Sequence, residues 1–148
     1  MLGLLNFSEA MSIALHTCAS LAEDTGRYHS ARQISGKLSF SAHHSAKVMQ
    51  QLVRAGLIET ERGPAGGAKL ARAPKEITVL EIYIAVGGNP HHEGCLLKRD
   101  ICKGDGCVLG KLMAKENARL IAMLRSVTLD SVARSLKRNR ANKKEETS

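Results

Sequence analysis

The sequence predicts a mainly α-helical chain with one small β-hairpin wing: a winged helix-turn-helix head followed by a long C-terminal dimerisation helix. Three observations lead there. Apolar residues recur at helical spacing along most of the 148 residues, and aromatic residues are only 3% with no Trp, so Leu, Ile, Val, Met and Ala must build the core. Two short helical stretches joined by a brief link run straight into LIETERGPAGGAKLAR, two alternating runs flanking a glycine-rich turn. A last long helical stretch, from about residue 108 to 127, carries Leu109, Leu112, Met113, Leu120, Ile121, Leu124 and Val127. Such a stripe near the end of a small chain reads as a dimer seam, with packing inside the chain as the alternative.

Each element has local signals. The first helix spans 8–23, capped by Ser8, with Met11, Leu15, Cys18 and Ala22 at helical spacing and Gly26 beyond its end. The second runs from His29 to Leu38, where Ser30 and Gln33 have capping-box spacing. The third begins at Ser41 and ends at Gly56; Ser45, Val48, Met49 and Leu52 form its inward stripe, and His43, His44, Ala46, Lys47, Gln50, Gln51 and Arg54 face outward. Pro74 breaks the chain after the hairpin. Thr78 caps a helix through Val86, with Glu81 at the capping-box position and Ile77 placed to staple onto Ile82. Gly87-Gly88-Asn89-Pro90 stops it. Thr128 caps a final short helix to about Leu136, and the charged tail KRNRANKKEETS reads as disordered. The expected organisation is a DNA-binding head over 1–75, a cluster-binding loop and dimerisation helices over 76–136, and a basic tail over 137–148.

Charge is unevenly placed. The chain carries a formal +8, and residues 25–72 hold eight basic against two acidic side chains, whereas residues 1–24 hold three acidic and no basic ones. A basic block on a helix-turn-helix is the footprint of a nucleic-acid binder, although charge alone fits an ordinary solvated surface too. Ser41, His43, His44 and Lys47 occupy the first turns of the third helix, the part that usually meets base edges and phosphates. Arg62 stands at the base of the wing, where arginine suits a narrow minor groove. Lys69, Arg54 and Arg32 are phosphate candidates, which position without specifying sequence. No run approaches the roughly 18 apolar residues of a membrane span, and MLGLLNF lacks the cationic start of a signal peptide, so the expectation is a cytoplasmic protein.

Three of the four cysteines, Cys95, Cys102 and Cys107, fall in HHEGCLLKRDICKGDGC with spacing Cys-x6-Cys-x4-Cys. In a reducing compartment such cysteines point to metal or redox chemistry more than to disulfides. Thiolates are natural ligands of iron–sulfur clusters and of zinc. Gly94, Gly104 and Gly106 let the chain wrap closely, and Lys98, Arg99 and Lys103 favour thiolate. His91 or His92 would complete a zinc set of three Cys and one His. Bare redox thiols remain the other reading. Cys18, on the inner face of the first helix, reads as a buried small hydrophobe, and His16 as a surface or capping residue.

With LLNFSEAMSIALHTCASLA, SAHHSAKVMQQLVRAGLIETERGPAGGAKLARAPKEITVLEI and the three-cysteine loop before a long helix, the chain resembles the IscR/NsrR-type family of iron–sulfur cluster-binding winged-helix transcription regulators, over about residues 4–136. The resemblance implies a homodimer, binding to pseudo-palindromic double-stranded DNA, and an iron–sulfur cluster, 2Fe–2S or 4Fe–4S, held by Cys95, Cys102 and Cys107. The fourth ligand departs from the pattern. IscR-like members have a histidine where this chain has Gly110; NsrR-like members have a first-helix carboxylate of the partner where it has Ser12. Glu9, one turn earlier, and His92 are the candidates chosen, with His91 and Asp105 also nearby in sequence. The expected function is a transcription regulator, a repressor, whose operator affinity follows a cluster sensing nitric oxide, redox state or iron and cluster supply. The alternative is a cluster-free regulator responding through thiol oxidation, zinc or a protein partner. A small thiol or metal enzyme is disfavoured because the cysteine segment offers no general base at a recognised spacing and the basic head would have no use.

Overall fold

A computed structural model describes residues 7–37, 40–91 and 107–145. The element order is α1 (Glu9–Ala22), α2 (Ala31–Lys37), α3 (Ala42–Arg54), β1 (Ile58–Glu61), β2 (Gly67–Leu70), a 3-10 turn (Pro74–Glu76), α4 (Val79–Ala85), α5 (Val108–Ser126) and α6 (Leu129–Glu145). This is the predicted helical fold with a two-stranded antiparallel wing, in register Ile58 to Leu70 and Glu61 to Gly67.

Caps start the helices where short-range chemistry predicts. Ser8 accepts from the Met11 N–H at 3.2 Å. Ser30 and Gln33 bond each other's backbone N–H at 3.2 and 2.8 Å, so α2 begins at Ala31. The sequence-based start at His29 is displaced because His29 is used elsewhere: its backbone pairs with Ala68 in both directions at 2.8 Å, adding a one-residue third rung to the wing. Gly67 makes that approach possible, since it has φ +143° and a Cβ there would lie 2.2 Å from the His29 carbonyl oxygen. Thr78 and Glu81 form the complete capping box of α4.

α1 is the hub. Met11, Ile13, Ala14, Thr17, Cys18, Ala19, Ser20 and Leu21 are all buried, so its apolar character extends well beyond the single stripe that the spacing indicates. Around it pack Val48 and Leu52 of α3, Leu57 and Ile58 entering the wing, Ile77 and Ile82 of the predicted staple, and Leu129 of α6. A short backbone clasp fixes the C-terminal helices to this head: the Val79 N–H donates to the Val127 carbonyl at 2.9 Å and the Leu129 N–H to the Ile77 carbonyl at 2.8 Å.

α6 departs from expectation. In place of a short helix and a disordered tail from residue 137, the helix continues through Glu145. No Gly or Pro interrupts residues 129–145, Asp130 and Arg134 pair at 2.8 Å one turn apart, and Arg140 reaches Glu23 at the end of α1 at 2.6 Å. Residues 146–148 lie outside the described residues.

Candidate nucleic-acid interface and cysteine segment

The amphipathic pattern of α3 sets its orientation. Val48 and Leu52 are buried, Ser45 and Met49 partly so, and His43, His44, Lys47, Gln50 and Arg54 are exposed, as the inward and outward sets predict; Gln51 is half-buried. Ser41 caps the helix by accepting from the His44 N–H at 3.3 Å, which leaves its own hydroxyl hydrogen free to donate outward. Arg62 sits exposed just past β1, where Gly63 at φ +110° turns the chain. Lys47, Arg54 and Arg62 make no ion pair among the described residues. Arg32 lies exposed on α2.

Lys69 stands differently from the other phosphate candidates. Its Nζ is 2.9 Å from Glu59 on the facing strand and 4.6 Å from the Tyr28 ring centroid, and the Tyr28 hydroxyl donates to Glu59 at 3.3 Å. The hydrogen bond and charge of Lys69 hold the Glu59 carboxyl below the usual carboxylate range, and Glu59 raises Lys69 in return. This is a wing-bracing cluster as much as a free cation. Tyr28 was invisible in the sequence because its partners lie about thirty residues downstream.

Glu9 was expected near a metal. It is exposed at the first turn of α1, and its Oε2 lies 3.0 Å from Nδ1 of His44. The two side chains, with Ser8, Lys47, Val48 and Val86, line a cleft of about 310 Å³ between α1 and α3. No sequence signal links positions 9 and 44; only the packing of the two helices joins them.

Of the cysteine segment, Cys107 is described, and Cys95, Cys102, His92 and Asp105 lie outside the described residues. Cys107 is a free, partly exposed thiol at the N-cap of α5, where its Sγ accepts from the Gly110 N–H at 3.3 Å. His91 is exposed, its N–H donating to Asn89 at 2.9 Å, and Asn117 of α5 holds the Pro90 carbonyl at 2.8 Å. The segment is thus bracketed by two points fixed to α5. Among the described residues, no three His, Cys, Asp or Glu side chains gather as a metal site. Cys18 is fully buried, and burial pushes its thiol up to about 12, which keeps it protonated and inert, as its inward position suggests. His16 donates from Nδ1 to the Ser12 carbonyl at 2.8 Å and packs edge-on to Phe40.

The three-helix head, the exposed face of α3 and the adjoining hairpin define a winged helix-turn-helix, DNA-binding protein. The family model of Rrf2, described as an iron-dependent transcriptional regulator, matches residues 7–135, and the chain belongs to that family. It is 46% identical over 68 residues to the HTH-type transcriptional regulator BadM of Rhodopseudomonas palustris, covering 46% of this chain and 44% of that protein. The fold matches CymR, the global cysteine regulator of B. subtilis (TM-score 0.77, 22% identity, 89% of this chain and 98% of that one). It also matches T. potens IscR (TM-score 0.72, 24% identity, 89% of each chain). These relatives are regulators, not enzymes, and this chain is a DNA-binding transcription regulator. No helix among the described residues is long and apolar enough to cross a membrane.

Proposed function

We propose that this chain is a cytoplasmic, homodimeric repressor whose operator affinity follows an iron–sulfur cluster held by Cys95, Cys102 and Cys107. The observation that carries the reading is the place of Cys107. Its sulfur caps the helix whose far side leaves Val108, Leu109, Leu112 and Met113 40–78% exposed, a face suited to a second copy. The donor set fits the group: a partly exposed sulfur already accepting a backbone N–H is how cluster sulfurs are commonly held. When bound, the cluster supplies a centre that reacts with nitric oxide, oxygen species or changes in iron supply. The chain's part is mechanical. Residues 91–108 join the head to α5, so a change in ligation at the three cysteines alters how two heads are held. In a dimer the recognition helices meet half-sites ~34 Å apart, and a small change in their spacing alters affinity. Ser41, His43, His44 and Lys47 read the major groove, Arg62 enters the minor groove, and Arg54, Arg32 and Lys69 contact phosphates. Glu9 and His92 are the candidates for the fourth ligand.

The test is the visible absorbance, iron and sulfide content of protein purified without oxygen, wild type beside Cys102→Ala. The reading expects broad visible absorbance near one cluster per chain, lost in the variant together with signal-dependent binding to DNA selected from a random pool. A second reading, a thiol-responsive cluster-free regulator, is favoured by the partly exposed free thiol of Cys107. It expects a colourless protein whose DNA binding responds to peroxide, and that result would replace the cluster reading.

A further inference from the structure

We infer that Glu9 is a positioning residue for DNA recognition: it holds His44 in one tautomer and so sets which bases His44 accepts. The inference rests on the assignment of α3 as the recognition helix. His44 lies in the first turn of α3, with its side chain 56% exposed, and Glu9 approaches its Nδ1 at 3.0 Å from α1. An ionised carboxylate can only accept, so Nδ1 must carry the proton. In the neutral ring Nε2 is then an unprotonated acceptor. Nε2 lies on the edge of the ring away from Glu9, on an exposed residue of the outward face of α3.

The consequence is chemical. In the major groove an acceptor pairs with the exocyclic amine of adenine or cytosine, and guanine presents only its N7 and O6 acceptors. A His44 ring freed from Glu9 can place its proton on either nitrogen and accept both classes. Glu9 also sets a negative charge within the same cleft as Lys47, and Glu9, His44 and Lys47 are the titratable side chains lining that cleft. An approaching phosphate within the ~10 Å screening distance meets that charge, so Glu9 restrains affinity while sharpening selectivity. Selectivity at this position therefore depends on a residue that need not touch DNA.

The experiment measures fluorescence anisotropy on pool-selected DNA and its single-base variants, at about pH 8, above the ordinary imidazole range. The proteins are wild type, H44A, E9A, E9Q, K47A and R62A. The base facing His44 is the one whose replacement weakens wild type and leaves H44A indifferent. At that base wild type should prefer A or C over G by about threefold to tenfold, within the worth of a single good base contact. E9A should lose most of that preference, and E9Q should keep it, because the Gln carbonyl still accepts from Nδ1. E9Q should also bind all DNA more tightly. Unchanged preference in E9A, or loss of iron from E9Q with no change in binding, overturns the proposal. If H44A changes no base preference while K47A and R62A weaken binding, this inference fails and the interface stands. If K47A and R62A also bind as wild type does, the assignment of α3 and the wing fails with it.

Discussion

α1 and α5 are both largely built from aliphatic residues, yet they end in opposite environments. α1, 14 residues long, buries eight of them and touches α3, α4, β2 and α6. α5, 19 residues long, buries only Gly110 and Leu124 and leaves Val108, Leu109, Leu112, Met113 and Met123 at least 40% exposed. The head closes its own core within one chain. The far side of α5 does not, and an apolar face of that kind is stable in water when a second copy covers it. The contrast separates two kinds of failure: damage around α1 should unfold the protein, and damage on α5 should leave a folded monomer.

The largest expected effect is on assembly. Leu112→Asp sets a charge in the middle of the exposed α5 face, and the protein should sediment as a monomer at micromolar concentration while its far-ultraviolet circular dichroism is kept. A dimer that survives would move the seam elsewhere. Leu52→Ala removes a fully buried α3 side chain from the head and should cost about 2–5 kcal/mol in urea denaturation, with a large loss of DNA binding. Thr78→Ala deletes one half of the α4 capping box and should cost about 1 kcal/mol, read by the same denaturation series.

The smallest effect is a pH dependence. Burial alone would raise the Glu81 carboxyl, but the Thr78 N–H, the Arg72 guanidinium at 2.6 Å and the Thr78 hydroxyl outweigh it and hold the group below the usual carboxylate range. A depressed folded pKa means its contribution is present above the unfolded value, near 4.5, and is lost as pH falls through the folded one. Wild type should therefore lose slightly more stability than Glu81→Gln between about pH 5 and 3, as followed by thermal melts. The pair is partly exposed, so solvent screening keeps the difference small.

Much of the head was legible because its signals are local. Ser8, Ser30 with Gln33, Ser41, and Thr78 with Glu81 each satisfy backbone donors three residues away, and the Arg62–Gly66 turn carries its glycines in sequence order. The contacts that join elements were not legible. The His29–Ala68 rung, the Ile77–Leu129 clasp, the Tyr28–Glu59–Lys69 cluster and the Glu9–His44 pair connect residues 31 to 52 positions apart, where spacing carries no information. The extended α6 was missed for a related reason: its charged half looks unsuited to a core, and the ion pair that anchors it, Arg140 to Glu23, spans 117 positions. The site reading is similarly divided. The α3 and wing residues could be placed from periodicity, whereas the cysteine spacing indicated sulfur chemistry without a geometry.

The most direct test of the account compares operator affinity on a single anaerobic preparation, before and after its iron is removed by a chelator, with dimer content checked in both states. The account predicts that affinity changes by about 5- to 150-fold, the usual scale of coupling between two sites, while both states remain dimeric. Equal affinity in the two states would contradict it, leaving a winged-helix regulator whose cysteines do not govern its grip on DNA.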